Sequence, residues 1–402
     1  MHGMRAYRTN DRDLRRLTSA IRSTDPVAGY THSFYRYPAR FSPIFAREMI
    51  DKFSRPNDVI LDPFMGGGTS IVEAKALGRR SVGSDVSSLA VFLAKTKTRV
   101  LTKDDRTTIS NWSEAVAAEG LNLRNPVTRD SEWTGEGYLK NLISRSTWAI
   151  RKALELSLAA LGTLPTIDQR MFARCIILRT AQWALDCRKA VPSANDFRAQ
   201  FLIFAKEMLC GSAEFERDCS RWGAPEGYQE LCLHQSALTL GSIYKQTTLP
   251  PPKLVLTSPP YPGVHVVYHR WQLRGRREMP APFWIAGTKD GAGASFYTFG
   301  DRHAAGLNSY FETALKAFHE VAKIADDRTT VVQMIAFSNR ATQLKRYLRV
   351  MNEAGFVELP RSYETGVPGR TWRVVPNRKW YASSKGNTAS SYEVVLFHRL
   401  AR

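Results

Sequence analysis

Cysteine is scarce in this chain of 402 residues. The five present are Cys175, Cys187, Cys210, Cys219 and Cys232, an odd number with no CxxC pair. That usage argues against a disulfide framework and against a structural zinc site. It fits a reducing compartment, so a cytoplasmic location is expected. No run of 18 apolar residues occurs, so no transmembrane helix is expected. The first residues, MHGMRAYRTNDRDLRRL, are basic without an apolar core, so no secretory signal is expected. Internal repeats and low-complexity tracts are absent. Acidic residues are also short, 37 Asp and Glu against 57 Lys and Arg, leaving a formal charge of +20. Such a field attracts polyanions, nucleic acid before an anionic membrane. The membrane reading lacks a basic amphipathic helix with a clean apolar face.

What is present reads as alternating strands and helices. A polar arm over residues 1–28 carries one helix near Asp13–Ser23. Residues 43–53, PIFAREMIDKF, place Ile44, Phe45, Met49, Ile50 and Phe53 on one helical face behind Pro43. VILDPF is a buried strand, MGGGT a glycine turn and SIVEAKALG a helix closed by Gly78. SVGSD is a second strand ending on an acid, and SSLAVFLAKTKT a second helix. This order predicts a doubly wound, Rossmann-like parallel sheet. Residues 105–230 show helical periodicity instead and read as a large helical insertion. Strands resume at LCLHQSAL (231–238) and KLVLTSPPY (253–261). Residues 262–305 read as a long functional loop. A helix (308–325), a strand (TVVQMIAF), a helix (QLKRYLRVMNEAG), a strand (FVEL) and a closing strand (391–399) complete the chain. The expected organisation is an arm and cofactor-binding part (1–104), the insertion (105–230), and a catalytic part with nucleic-acid-binding loops (231–402).

Two constellations carry chemistry. The first is Asp62-Pro63-Phe64-Met65-Gly66-Gly67-Gly68-Thr69. Glycines at a strand-to-helix turn let backbone approach a ligand, and the helix offers unpaired N–H groups. Neither GxGxxG nor GxxxxGK[ST] fits, which weakens the dinucleotide and P-loop readings. Asp85 follows Gly68 by seventeen residues and can take both hydroxyls of a ribose. The second is Thr257-Ser258-Pro259-Pro260-Tyr261. Its prolines rigidify a loop and expose carbonyls, Ser258 adds a hydroxyl, and Tyr261 a ring that can stack on a base.

Together these motifs resemble those of the amino-methylating DNA methyltransferases, which modify cytosine N4 or adenine N6. DPFMGGGT resembles their S-adenosyl-L-methionine motif and TSPPY their catalytic motif. Tyr37-Pro38-Ala39-Arg40-Phe41-Ser42-Pro43 resembles the element that covers the methionine end of the cofactor. The resemblance extends over residues 30–100, 230–265 and, more loosely, 308–400; the insertion lies outside it. It implies a methyltransferase sheet and a cofactor site lined by Tyr37, Pro38, Phe41, Asp62, Pro63, Phe64, Gly66, Gly68 and Thr69. Asp85 is then the ribose ligand, and Ser258, Pro259, Pro260 and Tyr261 form the amino-group site. The serine form of the motif resembles the cytosine-N4 enzymes more than the adenine-N6 ones. One departure is that the strand before TSPPY often ends Gly-Asp in the family, whereas this chain reads Leu233-His234-Gln235-Ser236. Gln235 is the candidate for the adenine contact.

The implied chemistry needs position more than a strong base. Accepting the amine hydrogens at Ser258 Oγ and the Pro259 carbonyl turns the nitrogen lone pair toward the methyl. A base inside double-stranded DNA must flip out to reach it. Cytosine C5 methylation is disfavoured, because none of the cysteines follows a proline. Candidate DNA contacts are Arg270, Trp271, Arg274, Arg276, Arg277, Arg373 and Arg378, cations interleaved with aromatics such as Tyr268, Phe283, Trp284 and Trp372. The insertion is the alternative seat of target recognition. His265 and His269 lie four apart, but no third ligand accompanies them and no metal is expected. A restriction endonuclease or defence-system proteins are the expected partners, and no membrane. The alternatives are an adenine-N6 enzyme, an RNA-base methyltransferase, a binding protein with a decayed site, and a nicotinamide oxidoreductase.

Overall fold

The structure is a computed structural model that describes residues 11–25, 27–37, 42–127, 131–223, 230–262, 270–274, 277–289, 299, 304–359, 370–374 and 392–401. It opens with helices α1 (Asp11–Arg22) and α2 (Pro43–Phe53), followed by strand β1 (Val59–Asp62), α3 (Thr69–Ala76), β2 (Arg80–Asp85) and α4 (Ser88–Thr98). The next five helices are α5 (Lys103–Ala115), α6 (Ser131–Gly135), α7 (Trp148–Ala160), α8 (Ile167–Leu185) and α9 (Ala194–Ser220). Then come β3 (Glu230–His234), α10 (Leu240–Tyr244), β4 (Leu254–Thr257), β5 (Trp271–Leu273), β6 (Arg277–Met279) and α11 (Ala281–Ala286). The remainder is α12 (Ala304–Ala322), β7 (Thr330–Ala336), α13 (Arg340–Glu353), β8 (Phe356–Glu358), β9 (Arg370–Val374) and β10 (Tyr392–Leu400).

Strands order as β3-β2-β1-β4-β7-β10-β8, with β9 also paired to β10. The five from β3 to β7 are mutually parallel, and β10 runs antiparallel to β7, β8 and β9. This is the doubly wound sheet that the alternation predicts. Every residue of β1, β4 and β7 is buried, as expected for strands covered on both faces. Alternate residues serve opposite layers. Val59, Leu61, Val255 and Val331 pack with α12 and α13 through Phe318, Tyr347 and Met351. Ile60, Leu254, Leu256 and Val332 pack with α1 and α2 through Ile21, Phe45 and Met49. The N-terminal helix is therefore no free arm, since Leu17 and Ile21 are buried on the sheet.

Chain order runs outward from β1 to β2 and β3, then returns to β4 on the other side of β1. The C-terminal ends of β1 and β4 flank this reversal, where ligands of doubly wound sheets bind. Helices α5 to α9 fill the connection between β2 and β3. Reciprocal side-chain caps start three helices of that group, Thr102 with Asp105, Thr166 with Gln169, and Ser193 with Asp196. Their apolar faces share one core with α4 through Leu89, Leu93, Phe172, Ile176 and Phe201.

Residues 271–286, read as part of a loop, form the β5–β6 hairpin and α11. The hairpin docks on the inserted helices: Gln272 N–H donates to Asp186 Oδ1 at 3.0 Å, and Asn141 Nδ2 to the Glu278 carbonyl at 2.9 Å. Helix α10 and strand β9 are further elements the sequence pattern missed.

Candidate active site

Asp62 ends β1 and is 1% exposed. Its Oδ1 accepts from Thr257 Oγ1 at 2.7 Å and from Phe64 N–H at 3.1 Å, while Oδ2 accepts from Ser70. Burial pushes its pKa up to about 6, against those three hydrogen bonds. One carboxylate thus ties the end of β1 to the end of β4 and to the first turn of α3. Pro63 is buried and Phe64 half-buried, with the Phe64 ring against Phe299 at 5.5 Å and Phe318 at 6.4 Å.

The glycine turn wraps onto the end of β2. Gly66 N–H donates to Asp85 Oδ2 at 2.9 Å, and Ser87 N–H to Oδ1 at 2.8 Å. Asp85 is half-buried, and loss of water pushes its pKa up to about 6 against the Ser87, Gly66 and Val86 amides. A carboxylate has about four acceptor positions, so it keeps capacity for a ribose hydroxyl. Gly66 and Gly68 have φ of +46° and +76°, the left-handed region that favours glycine. A Cβ on Gly67 would lie 2.9 Å from Tyr37 Cβ, and one on Gly66 3.1 Å from Tyr37 Cε1. Tyr37 therefore lies against the turn. Beneath it, Lys97 Nζ, from buried α4, donates to the Gly67 carbonyl at 2.8 Å. Thr69 is buried at the start of α3.

Ser258-Pro259-Pro260-Tyr261 continues from β4 on the same side of the sheet. Ser258 and Tyr261 are half-buried and Pro259 buried. Ser258 Oγ donates to Tyr261 Oη at 3.1 Å, and Tyr261 Oη to Glu393 Oε1 at 2.9 Å. Tyr310 Oη, from α12, donates to the Pro260 carbonyl at 2.7 Å. The reversal point thus brings together the glycine turn, the two raised aspartates and the proline loop. Gln235 sits one residue beyond β3 with an exposed side chain; its N–H donates to the Asp85 carbonyl at 3.1 Å. Pro38, Phe41, Arg276 and Arg378 lie outside the described residues, as do His265 and His269.

The candidate DNA contacts divide. Arg274 and Arg277 are exposed on the β5–β6 hairpin, and Arg270 is half-buried just before it. Trp271 is 2% exposed and donates its Nε1–H to Tyr35 Oη at 2.9 Å. Phe283 and Trp284 are buried in the same core. Arg373 is 5% exposed and pairs with Glu393 at 3.3 Å. These two corrections share a cause: interleaved aromatics and cations look alike whether they face a polyanion or seal a core. Trp271 and Arg373 are internal groups. Among the described residues no cluster of His, Cys, Asp or Glu could hold a metal, and no helix is long and apolar enough to cross a membrane.

Sequence reasoning missed Lys97, Tyr310 and Glu393, and gave Arg373 a different role. Tyr310 and Glu393 reach the site from elements far along the chain, Lys97 from the neighbouring α4, and no local motif marks any of them. A buried-strand position occupied by an acid, as at Glu393, is the one available signal.

Residues 10–96 match the sequence family described as DNA methylase. The chain is 33% identical over 103 residues to the Type II methyltransferase M.MvaI of Kocuria varians, covering 22% of this chain and 23% of that one. It is 31% identical over 68 residues to M.MjaII of Methanocaldococcus jannaschii, 17% and 13% of the two chains. It is 41% identical over 56 residues to M.BsoBI of Geobacillus stearothermophilus, 14% and 11%. The similarity thus spans less than a quarter of each relative. Over residues that include Tyr37, the glycine turn and Asp85, the chain is similar to DNA methylases, and S-adenosylmethionine is the methyl donor this implies.

Proposed function

We propose that this protein is an S-adenosylmethionine-dependent DNA methyltransferase that modifies an exocyclic base amine, cytosine N4 in preference to adenine N6. The observation that carries the reading is the Thr257–Asp62 hydrogen bond, which joins the glycine turn to the Ser-Pro-Pro-Tyr loop at the sheet's reversal point. Asp85, Gly66, Gly68, Thr69 and Tyr37 fit a nucleoside with a charged tail. Bound there, S-adenosylmethionine supplies a methyl made electrophilic by its sulfonium. The protein's task is to present the amine. Ser258 Oγ and the Pro259 carbonyl accept its hydrogens, turning its lone pair toward the methyl. Their dipoles stabilise the charge that grows on nitrogen. Tyr261 offers its ring to a flipped base. The net charge of +20 and exposed Arg274 and Arg277 support duplex DNA as substrate. Similarity to Type II methyltransferases supports a place in restriction–modification beside a cognate endonuclease, in the cytoplasm.

The test is methyl transfer from isotopically labelled S-adenosylmethionine to unmethylated duplex DNA, followed by nucleoside mass spectrometry. Labelled N4-methylcytosine is expected, with the label lost in Ser258→Ala. Labelled N6-methyladenine would retain the mechanism and correct the target. Label in RNA alone would overturn the DNA reading.

A further inference from the structure

We infer that Glu393 is a positioning residue that orients and polarises the Ser258–Tyr261 pair, an inference that rests on the methyltransferase reading. Glu393 lies on β10 directly opposite Arg373 of β9 in the antiparallel register. Their side chains are 12% and 3% exposed, and the ion pair spans 3.3 Å. Arg373 Nη1 also donates to the Ile21 carbonyl at 3.3 Å, so the pair is anchored to the end of α1. From this anchor Glu393 Oε1 reaches Tyr261 Oη at 2.9 Å.

The directions of the bonds follow from chemistry. An ionised carboxylate only accepts, so the Tyr261 hydroxyl must give its hydrogen to Glu393. Tyr261 Oη then receives the hydrogen of Ser258 Oγ, at 3.1 Å. Ser258 Oγ then keeps lone pairs that can accept and has no hydrogen to offer. That is the state in which it accepts from a base amine. Hydrogen bonds in series strengthen one another in a low-dielectric site. The negative end of the series is Glu393, and positive charge develops on the amine nitrogen at the other end. Without the acid, the two hydroxyls can reverse and Ser258 presents a hydrogen where the substrate presents its own.

The experiment compares wild type with E393Q, Y261F and the double variant Y261F/E393Q in single-turnover methylation at saturating S-adenosylmethionine. E393Q/R373Q is added because E393Q leaves a buried arginine unpaired. E393Q and E393Q/R373Q are expected to lose about 10- to 100-fold in rate, the worth of a charge-assisted hydrogen bond, with unchanged KM for DNA. In the Y261F background, E393Q is expected to cost less than about twofold, because the series is already broken. Unchanged rates in both neutral variants, or losses that multiply in the Y261F background, would overturn the inference. A second readout needs no activity. With 3-fluorotyrosine incorporated, the Tyr261 resonance, identified by its loss in Y261F, is expected to shift in E393Q. No shift overturns the coupling. An inactive wild type whose Tyr261 resonance still responds overturns the methyltransferase reading instead.

Discussion

Thr257 Oγ1 donates to Asp62 Oδ1 across 2.7 Å, and the two residues lie 195 positions apart in the chain. They end adjacent parallel strands whose register pairs Leu61 with Val255. A small hydroxyl and a buried acid thereby set the spacing between the glycine turn and the Ser-Pro-Pro-Tyr loop. Replacing Thr257 with Val keeps the branched shape and removes the donor. Thr257→Val is expected to cost about 1–3 kcal/mol in urea denaturation. The Asp62 pKa lies above its unfolded value, so its proton is held more tightly in the folded state and stability is lost as pH rises through about 6. Losing a donor raises that pKa further. The deficit of Thr257→Val is therefore expected to be larger at pH 8 than at pH 5, and an equal deficit at both would remove Asp62 from the account.

Asp85 makes a separate prediction about ligand affinity. Its pKa is raised to about 6 by burial, so it is ionised above that pH and neutral below it. A neutral carboxyl accepts ribose hydroxyls less well. Calorimetric affinity for S-adenosylmethionine is expected to fall below pH 6, by at most about tenfold per pH unit. Asp85→Asn is expected to bind weakly at every pH and to lose that dependence. The stability effect of Asp85 runs the other way, because the contribution of its raised pKa is fully present below about pH 4 and is lost as pH rises through about 6.

Gly67 tests the covering element. A Cβ there would sit 2.9 Å from Tyr37 Cβ, closer than carbon atoms allow. Gly67→Ala is expected to displace Tyr37 and weaken S-adenosylmethionine binding by about tenfold or more, for a change of this size in a packed site. Tyr37→Gly together with Gly67→Ala relieves the clash, because it removes the Cβ that the new methyl would meet. If the double variant folds no better than Gly67→Ala alone, Tyr37 is not what confines this position to glycine.

Local pattern carried much of the fold. The strand–glycine turn–helix–strand–acid order from Val59 to Asp85 marks a doubly wound sheet, because its period switches within a few residues. The core face of α2 was legible for the same reason in Phe45, Met49, Ile50 and Phe53, whereas Ile44, read onto that face, is exposed, being a residue off the buried stripe. Period says nothing of partners, however. Trp271 and Arg373 look like DNA contacts in sequence, yet one hydrogen-bonds Tyr35, far away in the chain, and the other is ion-paired with Glu393 on the adjoining strand. Strand β9 is five residues of alternating burial whose pairing with β10 is a tertiary fact. Within the site, Asp62, Asp85 and Ser258 come from contiguous motifs and could be named. Lys97, Tyr310 and Glu393 reach it only through packing.

The hairpin arginines predict a salt dependence. Arg274 and Arg277 flank the β5–β6 turn and are exposed, and Arg274 adopts φ +50° there. If each neutralises one phosphate, Arg274→Ala with Arg277→Ala is expected to reduce the slope of log K against log salt by about 2. The loss should be similar for cognate and random duplexes, because phosphate contacts carry no sequence information. A loss confined to one sequence would show that an arginine reads a base edge.

His398 governs acid stability. It lies fully buried in β10, and burial first, then Arg370, depress its pKa to about 3. The unfolded imidazole takes up a proton near pH 6.5 while the folded one does not. Stability from the neutral ring is thus fully present above about 6.5 and lost as pH falls, by at most about 1.4 kcal/mol per pH unit. His398→Leu removes that proton uptake from the unfolded state. It also removes the ring nitrogen that faces Gln333 Nε2 at 3.5 Å, a deficit that does not vary with pH. Relative to wild type, the variant is therefore expected to be less stable at pH 8 and to gain steadily as pH falls below 6.5. Chemical denaturation at a series of pH values reads the difference directly. A constant difference from pH 8 to pH 5 would mean that His398 is protonated inside the folded sheet.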